Sequence, residues 1–233
     1  MAALPKIQYP IFEFTMPSDK SIIKFRPFTV KEEKILLIAQ ESENSSDRLI
    51  AMRQIVNNCC LNLNKPVETI AAFDLEYAFL KIRAKSVGNI VELKYQDTTD
   101  KKIYNFAVNL DEVEVNFTEG HTNKIEISSD LGLIMKYPTV ETYAKNSTEK
   151  SDTLIEIVQD CIDTVYDSDN VYVFDQYTYK EKTEFVESIT SDGFKQIVEF
   201  FNTMPVLSHE LNYQDSQGTD KKITLLGIDD FFQ

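Results

Sequence analysis

Tryptophan is absent from this 233-residue chain, and glycine (6), proline (7) and histidine (2) are scarce. With so few, scattered glycines there is no GxGxxG fingerprint and no Walker loop, so a backbone cradle for a nucleotide phosphate is excluded. Low Gly and Pro content also argues against collagen-like or low-complexity segments. His121 and His209 are the only imidazoles, and neither sits in a local Ser-His-Asp or Cys-His arrangement. The three cysteines, Cys59, Cys60 and Cys161, are odd in number and lack framework spacing, which fits a reducing compartment. Residues 1–10 carry a lone Lys6 and no apolar run of signal length. No stretch approaches the roughly 18 apolar residues of a membrane span. Positive charge is also short: 24 Lys and Arg face 38 Asp and Glu, a formal net charge of −14. Such a chain repels nucleic-acid phosphates and anionic membranes, so neither is expected as a partner. The acid either solvates the surface or faces a basic protein, where charge sets on-rate and register.

What is present is core material, with 42% apolar and 11% aromatic residues. The pattern predicts an α+β protein, helices packed with several β-hairpins. A single domain over 1–233 is expected, with sub-regions 1–88 (hairpin plus helices), 89–137 (β-rich) and 138–233 (helices plus a terminal hairpin). Ile7–Thr15 and Ser21–Phe28 flank the turn Met16–Lys20 as a first hairpin. Val30–Glu41 reads as a helix whose apolar block, Ile35–Ala39, is expected to be buried on most sides. A second helix, capped by Ser46 or Asp47, runs to about Cys60. A third is expected from Asp74 as N-cap to Ser86, ended by Gly88. Strands follow at Ile90–Gln96, Ile103–Val115, Lys124–Ile127 and Leu131–Lys136. Leu154, Ile157, Val158, Cys161, Ile162 and Val165 recur at helical spacing and predict one continuous helix. Its opposite face carries Asp152, Glu156, Asp160, Asp163 and Asp167, read as solvated surface or a partner-docking face; Asp152, Glu156, Asp160 and Asp163 are the candidate partner contacts. After a short strand at Val171–Phe174, helices are expected at Thr183–Ile189 and Asp192–Asn202, the latter stopped by Pro205. Leu207–Tyr213 and Ile223–Leu226 form the last hairpin.

One segment repeats. Glu92–Ile103 reads ELKYQDTTDKKI and Glu210–Ile223 reads ELNYQDSQGTDKKI; with a two-residue gap, ten residues match. Each copy spans the turn of a predicted hairpin. A lone hairpin is barely stable in water, so the copies are expected to pair and complete a shared core, bringing Tyr95 near Tyr213. The knuckles Gln96–Asp100 and Gln214–Asp220 hold no cysteine. Asp97, Asp100, Asp215 and Asp220 are oxygen ligands suited to Ca²⁺ or Mg²⁺ rather than Zn²⁺, but Asp and Thr are also ordinary turn formers. No metal, no cofactor and no catalytic residue is expected. His121 reads as a loop residue. The chain ends in GIDDFFQ, and Phe231 and Phe232 either fold back onto the core or anchor in a partner's groove.

Several segments together resemble the T-even-type phage baseplate hub proteins, the group of hub subunits and hub assembly factors of contractile tails. They are Leu4–Lys6, Lys24–Phe28 with Val30–Lys34, Phe73–Tyr77, Arg83–Gly88, Lys136–Thr139, Phe200–Pro205 and Gly227–Phe232. The resemblance implies a virion-assembly protein that binds other hub or tail proteins and has no enzyme activity. It implies action in the host bacterial cytoplasm during assembly, with the virion baseplate as a second location. Some members are expected to carry CxxC pairs at the two knuckles; this chain does not, so metal binding is not carried over. The alternative is an acidic inhibitor or mimic that binds a basic host protein.

Overall fold

A computed structural model of the protein describes residues 5, 7–41, 45–145 and 153–232. The architecture is α+β, with several small antiparallel sheets. In chain order the strands and helices are β1 (Phe12–Thr15), β2 (Ile22–Phe25), α1 (Val30–Glu41), α2 (Ser45–Cys59), α3 (Ala72–Ser86), β3 (Ile90–Gln96), β4 (Ile103–Asn109), β5 (Glu114–Asn116), β6 (Lys124–Glu126) and β7 (Leu131–Met135). They continue as α4 (Val140–Lys145), α5 (Thr153–Cys161), β8 (Ile162–Asp167), β9 (Val171–Val173), α6 (Tyr179–Ser188), α7 (Ser191–Thr203), β10 (Val206–Gln214) and β11 (Asp220–Leu226). Residues 1–115 with 206–233 form one compact unit and residues 116–205 another.

In the first unit the β1–β2 hairpin buries Phe14, Ile23 and Phe25, with Phe14 and Phe25 rings 5.5 Å apart. α2 packs against α1 and α3, and Ile55, Val56, Leu75 and Ile82 are fully enclosed. Asp74 is not the N-cap of α3. That position is Ala71, and Asp74 lies in the first turn, fully buried, accepting from the Ser18 N–H at 3.0 Å and from the Ser18 hydroxyl. The carboxylate thus ties the β1–β2 turn to the helix start, where the macrodipole favours negative charge. The expectation for α1 also fails: Ala39 is buried, but Leu37 is 54% and Ile38 70% exposed. Five apolar residues in a row cover more than one helix face, and α2 covers only part of it. Arg26 and Glu32 tie the end of β2 to α1 within the Lys24–Lys34 segment. Arg26 Nη2 lies 3.1 Å from Glu32 Oε1, and the Thr29 N–H and hydroxyl both donate to Glu32 Oε2. Burial pushes the Glu32 carboxyl up, but the bonds from Arg26 and Thr29 outweigh it and hold it near about 2.

In the second unit the sheet order is β6-β7-β8-β9. Its core gathers Leu133, Met135, Val158, Ile162, Ile197 and Phe200. The predicted continuous helix stops at Cys161, and Ile162–Asp167 is a strand between β7 and β9. Ile162, Thr164 and Val165 are β-branched and Tyr166 aromatic, residues that prefer a pleated surface, and β7 supplies a partner. Within α5, Val158 and Cys161 are buried and Ile157 partly so, as the stripe predicts, but Leu154 at the helix start is 47% exposed. Gly132 lets β7 and β8 come together: a Cβ there would lie 2.1 Å from the Tyr166 ring. His121 is more than a loop residue. Its ring stacks on Tyr137 at 5.7 Å and lies 5.2 Å from Phe200, while Nδ1 and Nε2 each sit 3.0 Å from the hydroxyls of Thr203 and Tyr137.

Candidate functional site

The two repeated hairpins pair as expected, and their geometry explains the repeated acids. β3 and β4 register Tyr95 against Tyr104, and β10 and β11 register Tyr213 against Lys221. The first Asp of each copy closes its own turn: Asp97 Oδ1 accepts from the Thr99 N–H at 2.6 Å, and Asp215 Oδ1 from the Gln217 and Thr219 N–H at 2.9 Å. The copies then lock together through the first copy's carboxylates. Asp97 Oδ2 accepts from Tyr213 Oη at 2.7 Å and Lys221 Nζ at 2.9 Å, and Asp100 Oδ2 accepts from the Ser216 N–H at 3.1 Å. Ser216 belongs to the two-residue insertion, which is why the pairing is asymmetric. Tyr213 sits among Tyr95, Tyr104 and Phe106, at 6.1, 4.7 and 5.8 Å between ring centres.

The electrostatics follow. The Lys221 ammonium, then the Tyr213 hydroxyl, hold Asp97 far below the usual carboxylate range. Hydrogen bonds, first from Tyr104, hold Asp100 at about 2, and that bond pushes the Tyr104 phenol up to about 12. These oxygens are engaged by the chain's own donors. Among the described residues no group of three or more His, Cys, Asp or Glu is placed to hold a metal ion. The knuckle pair is therefore a structural clamp.

The C-terminal segment folds back. Gly227 takes φ +67°, and its N–H donates to Leu207 O at 2.8 Å, turning the chain out of β11. Phe231 is then fully buried. Phe232 lies edge-on to Phe79 at 6.3 Å, with the Arg83 guanidinium 4.7 Å over its ring. Glu76 accepts from the Ile228 N–H; burial, reinforced by the charge of Asp229, pushes its carboxyl up to about 7. Phe232 thus borders a groove of about 640 Å³ shared with Leu36, Leu37, Met52, Phe79 and Val87. Of its lining, Leu37 on α1 and Val87 at the end of α3 are more than half exposed, and α1 also exposes Val30 and Ile38. No sequence pattern pointed to this surface, because the apolar run of α1 reads equally as core.

The acidic residues do not form one stripe. Glu156 and Asp160 are half-buried on α5, with Asp160 3.7 Å from Lys145. Asp163 is exposed on β8, and Asp152 lies outside the described residues. The thiols are free: burial pushes Cys59 up to about 11, and Cys60 and Cys161 up to about 12.

Residues 9–233 match the family model described as T4 bacteriophage base plate protein. The chain belongs to that family. It is a phage baseplate protein, and other baseplate or tail proteins are its natural partners. Neither a search of curated proteins nor one of solved structures found a match. For this baseplate protein, the segments that carried the resemblance converge in space. Phe73–Tyr77 meets Gly227–Phe232 at Glu76 and Ile228, and Lys136–Thr139 meets Phe200–Pro205 around His121. Those contacts help hold the folded units together.

Proposed function

We propose that this protein is a non-catalytic assembly or structural component of the central hub of a contractile-tail baseplate, acting by binding other hub or tail proteins in the host cytoplasm and at the virion baseplate. The observation that carries the reading is the apolar surface of α1 and its groove, in a chain of formal net charge −14. An exposed apolar patch of this kind marks a protein-binding surface. Phe232 at the groove rim is the terminal aromatic that faces a partner, and Phe231 acts by pinning the tail that presents it. Glu156, Asp160 and Asp163, with Asp152, steer a basic partner rather than anchor it. The mimic alternative needs acids arrayed on one face, whereas Glu156 and Asp163 lie on different elements.

The test is Leu37→Glu with Ile38→Glu, introduced into the phage chromosome. Both side chains are exposed, so the thermal midpoint of the purified variant should change by no more than about 0.5 kcal/mol worth of stability. Baseplate intermediates from infected cells, separated by sedimentation, should stall before the complete baseplate. Normal baseplates from this variant would remove α1 as the binding surface.

A further inference from the structure

In the second unit a terminal strand lies beside an apolar groove. β9 ends the β6-β7-β8-β9 sheet, and no strand lies beyond it among the described residues. The Asp167 N–H donates to Asn170 O at 3.0 Å, closing the β8–β9 hairpin. Antiparallel pairs alternate between bonded and non-bonded positions, so Tyr172 bonds to Val165, and the N–H and C=O of Val171 and the N–H of Val173 point away from the sheet; the Val173 carbonyl caps the following 3-10 turn, Phe174–Gln176. Val171 is 71% and Val173 47% exposed. Beside this edge, on the face shared by Val165 and Tyr172, lies an apolar groove of about 400 Å³ walled by Leu131, Phe174, Tyr177 and Phe185. Glu181 and Glu184 stand at its side. Residues 116–205 hold 17 acidic and 7 basic residues, so this unit carries −10 of the chain's −14.

We propose that the β9 edge and its groove receive an extended, basic segment of a partner protein, which adds as a fifth strand and seats one apolar side chain in the groove. In strand addition, main-chain hydrogen bonds supply affinity and an adjoining pocket reads alternate side chains. Both parts are present here, with Val173 and Val171 offering the backbone and the Tyr172 face offering the pocket. Charge selects the occupant. Lysines or arginines flanking the apolar residue meet Glu181 and Glu184 and the surplus acid of the unit, whereas a second copy brings another −10 and is repelled. The inference rests on the reading of the chain as a protein-binding component, but it concerns the second unit and not α1.

Val173 makes a clean test possible, because its φ of −73° already suits proline. Val173→Pro deletes one outward N–H without bending the strand, and Val173→Ala trims the side chain while keeping that donor. The probes are fluorescent peptides of the pattern Lys-Thr-Lys-X-Lys-Thr-Lys with X as Phe, Leu or Ala, and a Phe peptide with Glu in place of Lys, titrated by polarisation onto the full chain. Expected are binding of the Phe and Leu peptides at least about tenfold tighter than the Ala and acidic ones, and a similar loss with Val173→Pro but not Val173→Ala. Amide shift changes should centre on 171–173 and 177–185. The proposal is overturned by equal binding to Val173→Pro and the parent, by shifts centred elsewhere, or by no peptide binding at millimolar concentration. A concentration-dependent dimer that Val173→Pro dissolves would also overturn it, by assigning the edge to a second copy. None of these readouts involves baseplate assembly, so failure here and failure of the α1 experiment are separate results.

Discussion

Asp97 and Glu76 each join separate parts of the chain, and their roles can be tested separately. Asp97 bonds to its own turn and to Tyr213 and Lys221 of the other hairpin, whereas Asp220 accepts only within its hairpin, from Gln214 Nε2 at 2.9 Å. Asp97→Asn should therefore lower the thermal midpoint clearly more than Asp220→Asn in parallel melts; equal effects would mean the clamp contributes nothing. Glu76 makes a prediction about pH. Its carboxyl titrates near 4.5 ordinarily and near about 7 when folded. Between those values the folded state holds the extra proton, so this group's contribution is complete below about 4.5 and is lost as pH rises through about 7. Glu76→Gln keeps an acceptor for the Ile228 N–H and removes the charge facing Asp229. It should raise stability at pH 8 by about 1–2 kcal/mol and leave it nearly unchanged at pH 4. His121 runs the opposite way: burial lowers its pKa, so its neutral form is the one the fold stabilises, and protonation at low pH weakens its stack.

At the scale of elements, the C-terminal turn shows why exposure decides what an aromatic does. Phe231 is enclosed and Phe232 is half-open at a groove rim. Phe231→Ala should cost about 3–5 kcal/mol in chemical denaturation, the usual penalty for emptying a buried aromatic site. Phe232→Ala gives up one edge-on ring contact and the Arg83 contact and should cost about 1 kcal/mol or less, while weakening partner association. Equal costs for the two would contradict the burial just described. The same contrast separates α1 from α3: both are rich in apolar residues, but α3 encloses Leu75, Ala78, Phe79, Leu80 and Ile82, and α1 leaves Leu37 and Ile38 to solvent.

At the scale of the whole molecule, the first unit is made of two chain segments, and the second unit occupies the stretch between them. β5 lies next to β10 in a three-stranded sheet, so the chain leaves and re-enters the first unit through adjacent strands. Neighbouring strands lie only about 4.8 Å apart, a gap that a few residues bridge. Replacing residues 116–205 with a short Gly-Ser linker should therefore leave the first unit folded. Nuclear Overhauser contacts between Tyr95 and Tyr213, together with a cooperative melt, would establish this. Loss of both would show that the first unit depends on the second.

The sequence by itself determined which stretches are helices and hairpins wherever local periodicity and turn chemistry agreed: the first hairpin, α1, α2, α3, the β6 and β7 strands and the terminal hairpin. It also determined the pairing of the two repeats, because a strand–turn–strand unit carried twice is stable only when each copy has another to pack against. What tertiary structure decided was everything that depends on the opposing surface. Ile162 and Val165 continue a helical stripe, yet they form a strand because their β-branched side chains suit the pleated sheet and β7 and β9 supply pairing partners on both sides. Asp74 is a cap by local rules and a buried tie to Ser18 in space, across 56 positions. Leu37 and Ile38 read as core until α2 leaves them uncovered, and β9 is an edge strand because, among the described residues, the sheet ends there. Local pattern sets what a segment is able to form; burial and pairing are set by residues far away in the chain, which no window of sequence contains.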